Sequence, residues 1–211
     1  MSIKLLLKKF YVEDKSFVTS DELKGYCRQL GLKYDTAVRY LQSQNKIQRI
    51  FKGVFYVKSL EELKTGAYKY NHLELVAKGL ELKNIENWYF GLHTALKLNK
   101  MTHEYFAIEE VLSDKLFRAH PINITNYKFS FIKISPSLFK FGIKKDKLIR
   151  YSDPEKTILD FIYLWKYNRV PTEKIISDVS EWKNKINLNK IAIYAKNYPK
   201  TVKTITEAAF K

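Results

Sequence analysis

An α+β chain is predicted, and three observations predict it. Apolar residues recur at helical spacing through most of the first 44 positions, then give way to two short runs around Lys52-Gly53. Aromatic and β-branched runs such as Tyr127-Lys128-Phe129-Ser130-Phe131-Ile132-Lys133-Ile134 follow, and helical spacing returns after Asp153-Pro154. With 211 residues, 45% of them hydrophobic and 15% aromatic, the chain has material for a real core, in one large domain or two small ones.

In chain order, Ile3, Leu6, Leu7 and Phe10 share one face of a first helix. Phe17-Val18 reads as a short extended link. Thr19 or Ser20 caps a second helix that starts with Asp21 and Glu22, buries Leu23, Tyr26, Cys27 and Leu30, and ends at Gly31. A third helix begins between Lys33 and Asp35, with Asp35 the chemically better cap. It buries Ala37, Val38 and Leu41 and closes at Asn45. From Ile47 a hairpin runs to a turn at Lys52-Gly53, where glycine supplies positive φ.

Three helices and a two-stranded wing over residues 1–58 make a winged helix-turn-helix. Such a unit lays its last helix in the major groove, where each base pair presents a distinct donor and acceptor pattern. Thr36, Arg39, Tyr40 and Ser43 are the predicted base-facing residues, and Lys33 and Tyr34 lie near the helix start. Arg49 and Lys52 on the wing would meet phosphate or the minor groove. Winged helices also dock proteins, and in that role these side chains are a solvated face.

Residues 59–85 read as a helical connector, interrupted by Gly66 and Gly79. Residues 86–211 read as a mixed α/β C-terminal domain. It opens with a buried helix over 87–99 that turns Leu92, Ala95 and Leu96 inward, and continues with strands at Tyr105-Phe106-Ala107-Ile108 and over 127–134. Asp153 caps the next helix, Pro154 suits its first position and Glu155 meets its dipole; Ile158, Leu159, Ile162 and Trp165 form its buried face. Helices over 172–185, 188–197 and 199–210 complete the chain.

The formal charge of +16, from 38 basic and 22 acidic residues, draws polyanions: nucleic acid or an acidic protein. Residues 1–58 carry +7 and three of the six arginines, Arg28, Arg39 and Arg49. Arginine is the side chain that reads guanine bidentately, so that placement points to DNA. Residues 115–150 hold nine basic side chains and one acidic one. Within them Lys140, Lys144, Lys145 and Lys147 are expected to form a contiguous positive surface for a partner or a second nucleic-acid segment, while Phe139 and Phe141 belong to the core.

His72, His93, His103 and His120 stand apart without metal-ligand spacing, and no glycine-rich phosphate loop exists. Glu181-Trp182-Lys183 with Asp160 matches a metal-dependent nuclease only loosely, because both segments read as helix where that chemistry needs strands. No enzymatic activity, metal or cofactor is therefore expected. Cys27, the one cysteine, excludes an internal disulfide and reads as a small core residue. The apolar run at the amino terminus is too short for a secretory signal and no later run reaches membrane-spanning length, so a cytoplasmic protein without membrane partners is expected.

Three segments, in order, carry a family resemblance: the winged helix ending in Lys52-Gly53-Val54-Phe55-Tyr56, the stretch Tyr89-Phe90-Gly91-Leu92-His93-Thr94-Ala95-Leu96, and Ser152-Asp153-Pro154-Glu155-Lys156-Thr157-Ile158-Leu159-Asp160. Together they resemble the AbiEi-type antitoxins of abortive-infection toxin–antitoxin systems. The resemblance implies a transcriptional repressor of its own operon that binds operator repeats in double-stranded DNA through the winged helix. It also implies that the protein counters a nucleotidyltransferase toxin encoded beside it, with the surface around Lys140, Lys144, Lys145 and Lys147 as the matching region. The toxin's own Gly-Ser start with paired aspartates is absent from this sequence. A winged-helix regulator whose second domain senses a ligand or protein is the alternative reading, and the nuclease is the third.

Overall fold

Ten α-helices and nine strands in two sheets run through residues 3–211, which the computed structural model describes. Met1 and Ser2, which open the stretch read for a secretory signal, lie outside them. The fold is α+β, in two units: residues 1–84 with Asn123–Asn126, and Ile85–Ile122 with Tyr127–Lys211. Among the described residues no helix is long and apolar enough to cross a membrane.

The first unit starts with α1 (Ile3–Val12), which buries Leu6 and Phe10. Next comes β1 (Phe17–Thr19), so the predicted link is a third strand. Its hydrogen bonds go to a partner about forty residues later, Phe17 opposite Tyr56 and Thr19 opposite Val54, which local sequence cannot reveal. Helix α2 (Ser20–Gln29) is capped by Thr19 in a reciprocal box with Glu22, and Gly31 follows with φ of 63°. Helix α3 (Tyr34–Ser43) has Lys33 as its N-cap with no side-chain cap bond, and Asp35 sits in its first turn, so the chemically better cap was not the one used. Asp35 still favours the helix there, as a carboxylate near the positive end of the dipole.

Asn45 takes a positive φ of 53° after α3 and starts β2 (Ile47–Phe51), and Gly53, at 82°, turns it into β3 (Val54–Val57). The sheet order is β1-β3-β2, so the predicted two-stranded hairpin is part of a three-stranded sheet in which β3 is the central strand. Leu6, Phe10, Leu23, Cys27, Leu41 and Phe55 belong to one core cluster, and Cys27 is buried in it as expected.

The predicted connector is instead two capped helices of this first unit, α4 (Leu60–Thr65) and α5 (His72–Leu82). Gly66 ends α4 with φ of 74°, whereas Gly79 interrupts nothing. It lies inside α5 because β2 passes so close: a Cβ there would stand 2.7 Å from the Phe51 ring.

The second unit holds five strands of a six-stranded sheet in the order β6-β7-β5-β4-β9-β8, with β6 at the unit boundary. Its inner strand β4 (Trp88–Phe90) lies in the stretch predicted as helix. Three consecutive buried aromatic residues suit a strand covered on both faces, and α6 (Leu92–Leu98) begins only after Gly91. Strand β5 (Ile108–Ser113) runs antiparallel to β4 and parallel to β7 (Tyr127–Lys133), with β6 (Ile122–Ile124) outermost. The strand expected at residues 105–108 therefore starts later and contains Glu109 and Glu110, whose charge hid it from an apolar pattern.

Glu109 and Glu110 serve the start of α6, which Gly91 cannot cap. Glu110 Oε2 accepts from the His93 backbone N–H at 2.9 Å, and Glu109 Oε2 accepts from Thr94 Oγ1 at 2.8 Å. On the other side β9 (Ile149–Ser152) runs parallel to β4 and antiparallel to the edge strand β8 (Ile143–Asp146). Four helices complete the unit: α7 (Pro154–Tyr167), α8 (Thr172–Ser180), α9 (Leu188–Ala195) and α10 (Lys200–Phe210). Helix α7 is central, packed on α6, α8, α9 and α10.

Candidate functional site

Helix α3 presents Thr36, Arg39, Tyr40 and Ser43 at positions i, i+3, i+4 and i+7, and all four are exposed. The opposite face is anchored by Ala37 and Leu41, which fixes the helix's rotation. Tyr40 keeps 44% of its surface open although it is a large ring on a well-packed helix. One guanidinium donor of Arg39, its Nε, reaches the Asp35 carbonyl at 3.3 Å, and Ser43 Oγ donates to the Tyr40 carbonyl at 2.9 Å.

Lys33 is exposed before the first turn, while Tyr34 turns inward. The Tyr34 hydroxyl lies 3.0 Å from Ser20 Oγ and its ring sits 5.7 Å from the Lys24 ammonium. Tyr34 thus ties the start of α3 to the start of α2. On the hairpin, Arg49 is exposed on β2 opposite Phe55, and Lys52 is exposed beside the Gly53 turn. Lys83 Nζ, on the residue that caps the C-terminus of α5, donates to Lys52 O at 3.2 Å. The hairpin end is thereby held by the helix that was read as a connector.

The four lysines of the second unit do not share a face. Lys144 and Lys145 are successive residues of β8, so they leave the strand in opposite directions. Lys144 Nζ donates to Asn99 Oδ1 at 3.2 Å and lies over the Tyr151 ring, whereas Lys145 faces Arg150 across the ladder. Lys147 occupies the β8–β9 turn with φ of 52°, and Lys140 is exposed after a short 3-10 turn at Pro136–Phe139. Lysines on an edge strand also discourage strand addition, a structural role that accounts for their exposure. Phe139 and Phe141 are half-buried against Tyr89 and Tyr194, on the core side.

Sequence reasoning missed a buried ionic cluster around α7. Lys156 and Asp160 are both 0% exposed. Lys156 Nζ stands 3.4 Å from Asp160 Oδ1 and donates to Tyr198 Oη at 3.2 Å. Tyr198 donates to Asp160 Oδ1 at 2.7 Å, and Tyr89 to Oδ2 at 2.8 Å. The rings of Tyr89 and Phe141 each lie 4.8 Å from the ammonium. Burial pushes the Asp160 carboxyl up and the Lys156 ammonium down from their usual ranges, against the mutual attraction of the pair.

Asp160 therefore has both oxygens engaged, which leaves it unsuited to pair with Glu181 as a metal ligand. Among the described residues, no group of three or more His, Cys, Asp or Glu is placed to hold a metal ion. Asp153 caps α7 as predicted, accepting from Lys156 N at 2.9 Å, and also pairs with Lys190 at 2.9 Å. Glu155 does more than meet the dipole. Its Oε1 accepts from Asn187 N and its Oε2 pairs with Lys190 at 2.8 Å, so these bonds hold the carboxyl below its usual range against the opposing effect of burial. The i, i+4 spacing of Lys156 and Asp160 was the available signal, but its burial depends on Tyr89 and Tyr198, far away in sequence.

No family model and no curated protein matches the chain. Among solved structures it is similar to the crystal structure of the RV2827C protein from Mycobacterium tuberculosis, with a TM-score of 0.60 at 10% sequence identity over 97% of this chain and 74% of that one. At that identity the likeness is one of fold.

Proposed function

We propose that the protein is a sequence-specific DNA-binding autorepressor and antitoxin without enzymatic activity, whose first unit is a winged helix-turn-helix. The observation that carries the reading is the exposed stripe Thr36, Arg39, Tyr40 and Ser43 on α3, in the same unit as an exposed Arg49 and Lys52 on the hairpin. These residue types suit base edges and phosphate, and the chain's charge of +16 favours approach to a polyanion. Operator repeats are the proposed DNA partner. The antitoxin half of the reading, directed against a nucleotidyltransferase toxin, rests on the sequence resemblance; because Lys144 and Lys145 leave β8 in opposite directions, the proposed contact residues narrow to Lys140 and Lys147.

The test has two parts. The full chain should protect a discrete segment upstream of its own gene from cleavage; protection no better than on random duplex would remove the repressor reading. Co-expression should rescue growth from the toxin of an adjacent nucleotidyltransferase-like gene, and charge reversal at Lys140 and Lys147 should weaken rescue while sparing repression. Absence of such a gene, or undiminished rescue, counts against the second half. The alternative, a winged-helix regulator whose second unit senses a ligand, is favoured by one observation, an aromatic cleft in that unit.

A further inference from the structure

The cleft lies wholly within the second unit and has a volume of about 660 Å³, in the size range of sites that enclose a small organic molecule. Its walls are aromatic. His93 packs at 4.3 Å on Phe106 and at 4.9 Å on the buried Phe161, and Phe161 in turn carries Trp165 at 4.9 Å and Trp182 at 5.4 Å. Trp165 and Trp182 are only partly buried although Phe161 beneath them is 1% exposed, so ring surface remains open on the cleft side.

Three carboxylates, Glu104, Asp178 and Glu181, line the same cleft. The lining lysine, Lys185, donates to the Met101 carbonyl at 2.6 Å and keeps its positive charge, since that acceptor is neutral. Lys174 pairs with Asp178 at 3.0 Å and offsets that one charge, which leaves Glu104 and Glu181, both exposed. With Lys174 and Lys185 set against the three carboxylates, the cleft stays negative by one charge inside a unit that carries a net +9. Ring faces and carboxylates attract the same kind of ligand, because each aromatic face presents negative charge to a cation. An anion would be repelled, and a neutral ligand would cover the carboxylates without compensating them.

We infer that this cleft binds a planar organic cation of one or two rings, stacked on the indole wall with its charge toward Glu104 and Glu181. The inference is independent of the DNA-binding reading. Benzamidinium and its neutral counterpart benzamide are suitable probes, titrated into the full chain at matched ionic strength and followed by tryptophan fluorescence and calorimetry. Benzamidinium should bind saturably, and benzamide about tenfold more weakly, the ratio that one favourable charge contact gives. A Glu104→Gln/Glu181→Gln variant alters two exposed positions, so it should melt like the wild type while its affinity for benzamidinium falls to that for benzamide. Equal affinities for the two probes, no saturation by the cation, or undiminished binding by the folded variant would overturn the inference.

Discussion

Helices α3 and α7 each place an acid and a base four residues apart, with opposite results. In α3 the pair is Asp35 and Arg39, both exposed, and Arg39 bonds to the Asp35 backbone rather than its carboxylate. In α7 the pair is Lys156 and Asp160, sealed under Tyr89, Phe141 and Tyr198. Packing makes the difference. Helix α3 covers one face and leaves the other to solvent, whereas α7 is buried continuously from Glu155 to Ile162. Spacing alone therefore does not tell an exposed pair from a buried one.

The largest expected effect comes from breaking the inner pair. Lys156→Met keeps much of the volume but leaves the Asp160 carboxylate buried without its cation, a change that costs about 3–5 kcal/mol. Asp160→Asn added to Lys156→Met should recover part of the loss, since the amide oxygen still accepts a tyrosine hydroxyl. Urea unfolding followed by tryptophan fluorescence reports this directly, because Trp88, Trp165 and Trp182 all lie in the second unit. A loss under about 1 kcal/mol for the single change would mean that the pair carries no structural weight.

The outer pair should behave in the reverse way. Arg39→Ala should leave stability within about 0.5 kcal/mol of wild type, as for an exposed residue outside any network. Discrimination between operator and random duplex should fall by about 1–3 kcal/mol if Arg39 makes a bidentate base contact. Lys52→Ala should instead weaken binding to all duplexes alike and reduce the logarithmic salt slope by about 0.9. Unchanged discrimination in Arg39→Ala would assign the base contact elsewhere on α3.

The same contrast separates what was legible in the sequence from what was not. The stretch from α3 to β3 was legible because its determinants are local: Asn45 and Gly53 accept positive φ, and the spacing of Ala37, Val38 and Leu41 sets the helix face. Strand β1 was not, since it exists through pairing with β3, nor was β4, where three aromatic residues before a helix continue a helical pattern as readily as they form a strand. Of the candidate site, the exposed stripe on α3 could be listed in advance, but the inward turn of Tyr34 toward Ser20 could not. The buried cluster was invisible for the same reason as β1: Tyr89, Lys156 and Tyr198 meet only in the folded chain.

Glu62 sharpens the comparison, because it is a buried carboxylate in the unit that otherwise displays its candidate site on the surface. It is 7% exposed and completes the box that caps α4, accepting from Ser59 N at 2.7 Å and from Lys69 N at 2.7 Å, with the Tyr56 hydroxyl as a third donor. Burial alone would raise its pKa, but the bonds from Tyr56, Lys69 and Ser59 outweigh it and hold the carboxyl below its usual 4.5. The folded state thus binds this proton more weakly than the unfolded chain, so the stabilisation is complete above 4.5 and is lost as pH falls through the lower folded value. Glu62→Gln keeps the shape, but its single amide oxygen cannot serve donors on both sides of the group, so at neutral pH it should cost about 1–3 kcal/mol. Its acid limb should be flatter than that of the wild type. Native-state hydrogen exchange at the β3 amides, compared near neutral pH and below 4.5, isolates this effect from the second unit. Parallel acid limbs in the two proteins would show that Glu62 is uncoupled from the stability of the β1-β3-β2 sheet.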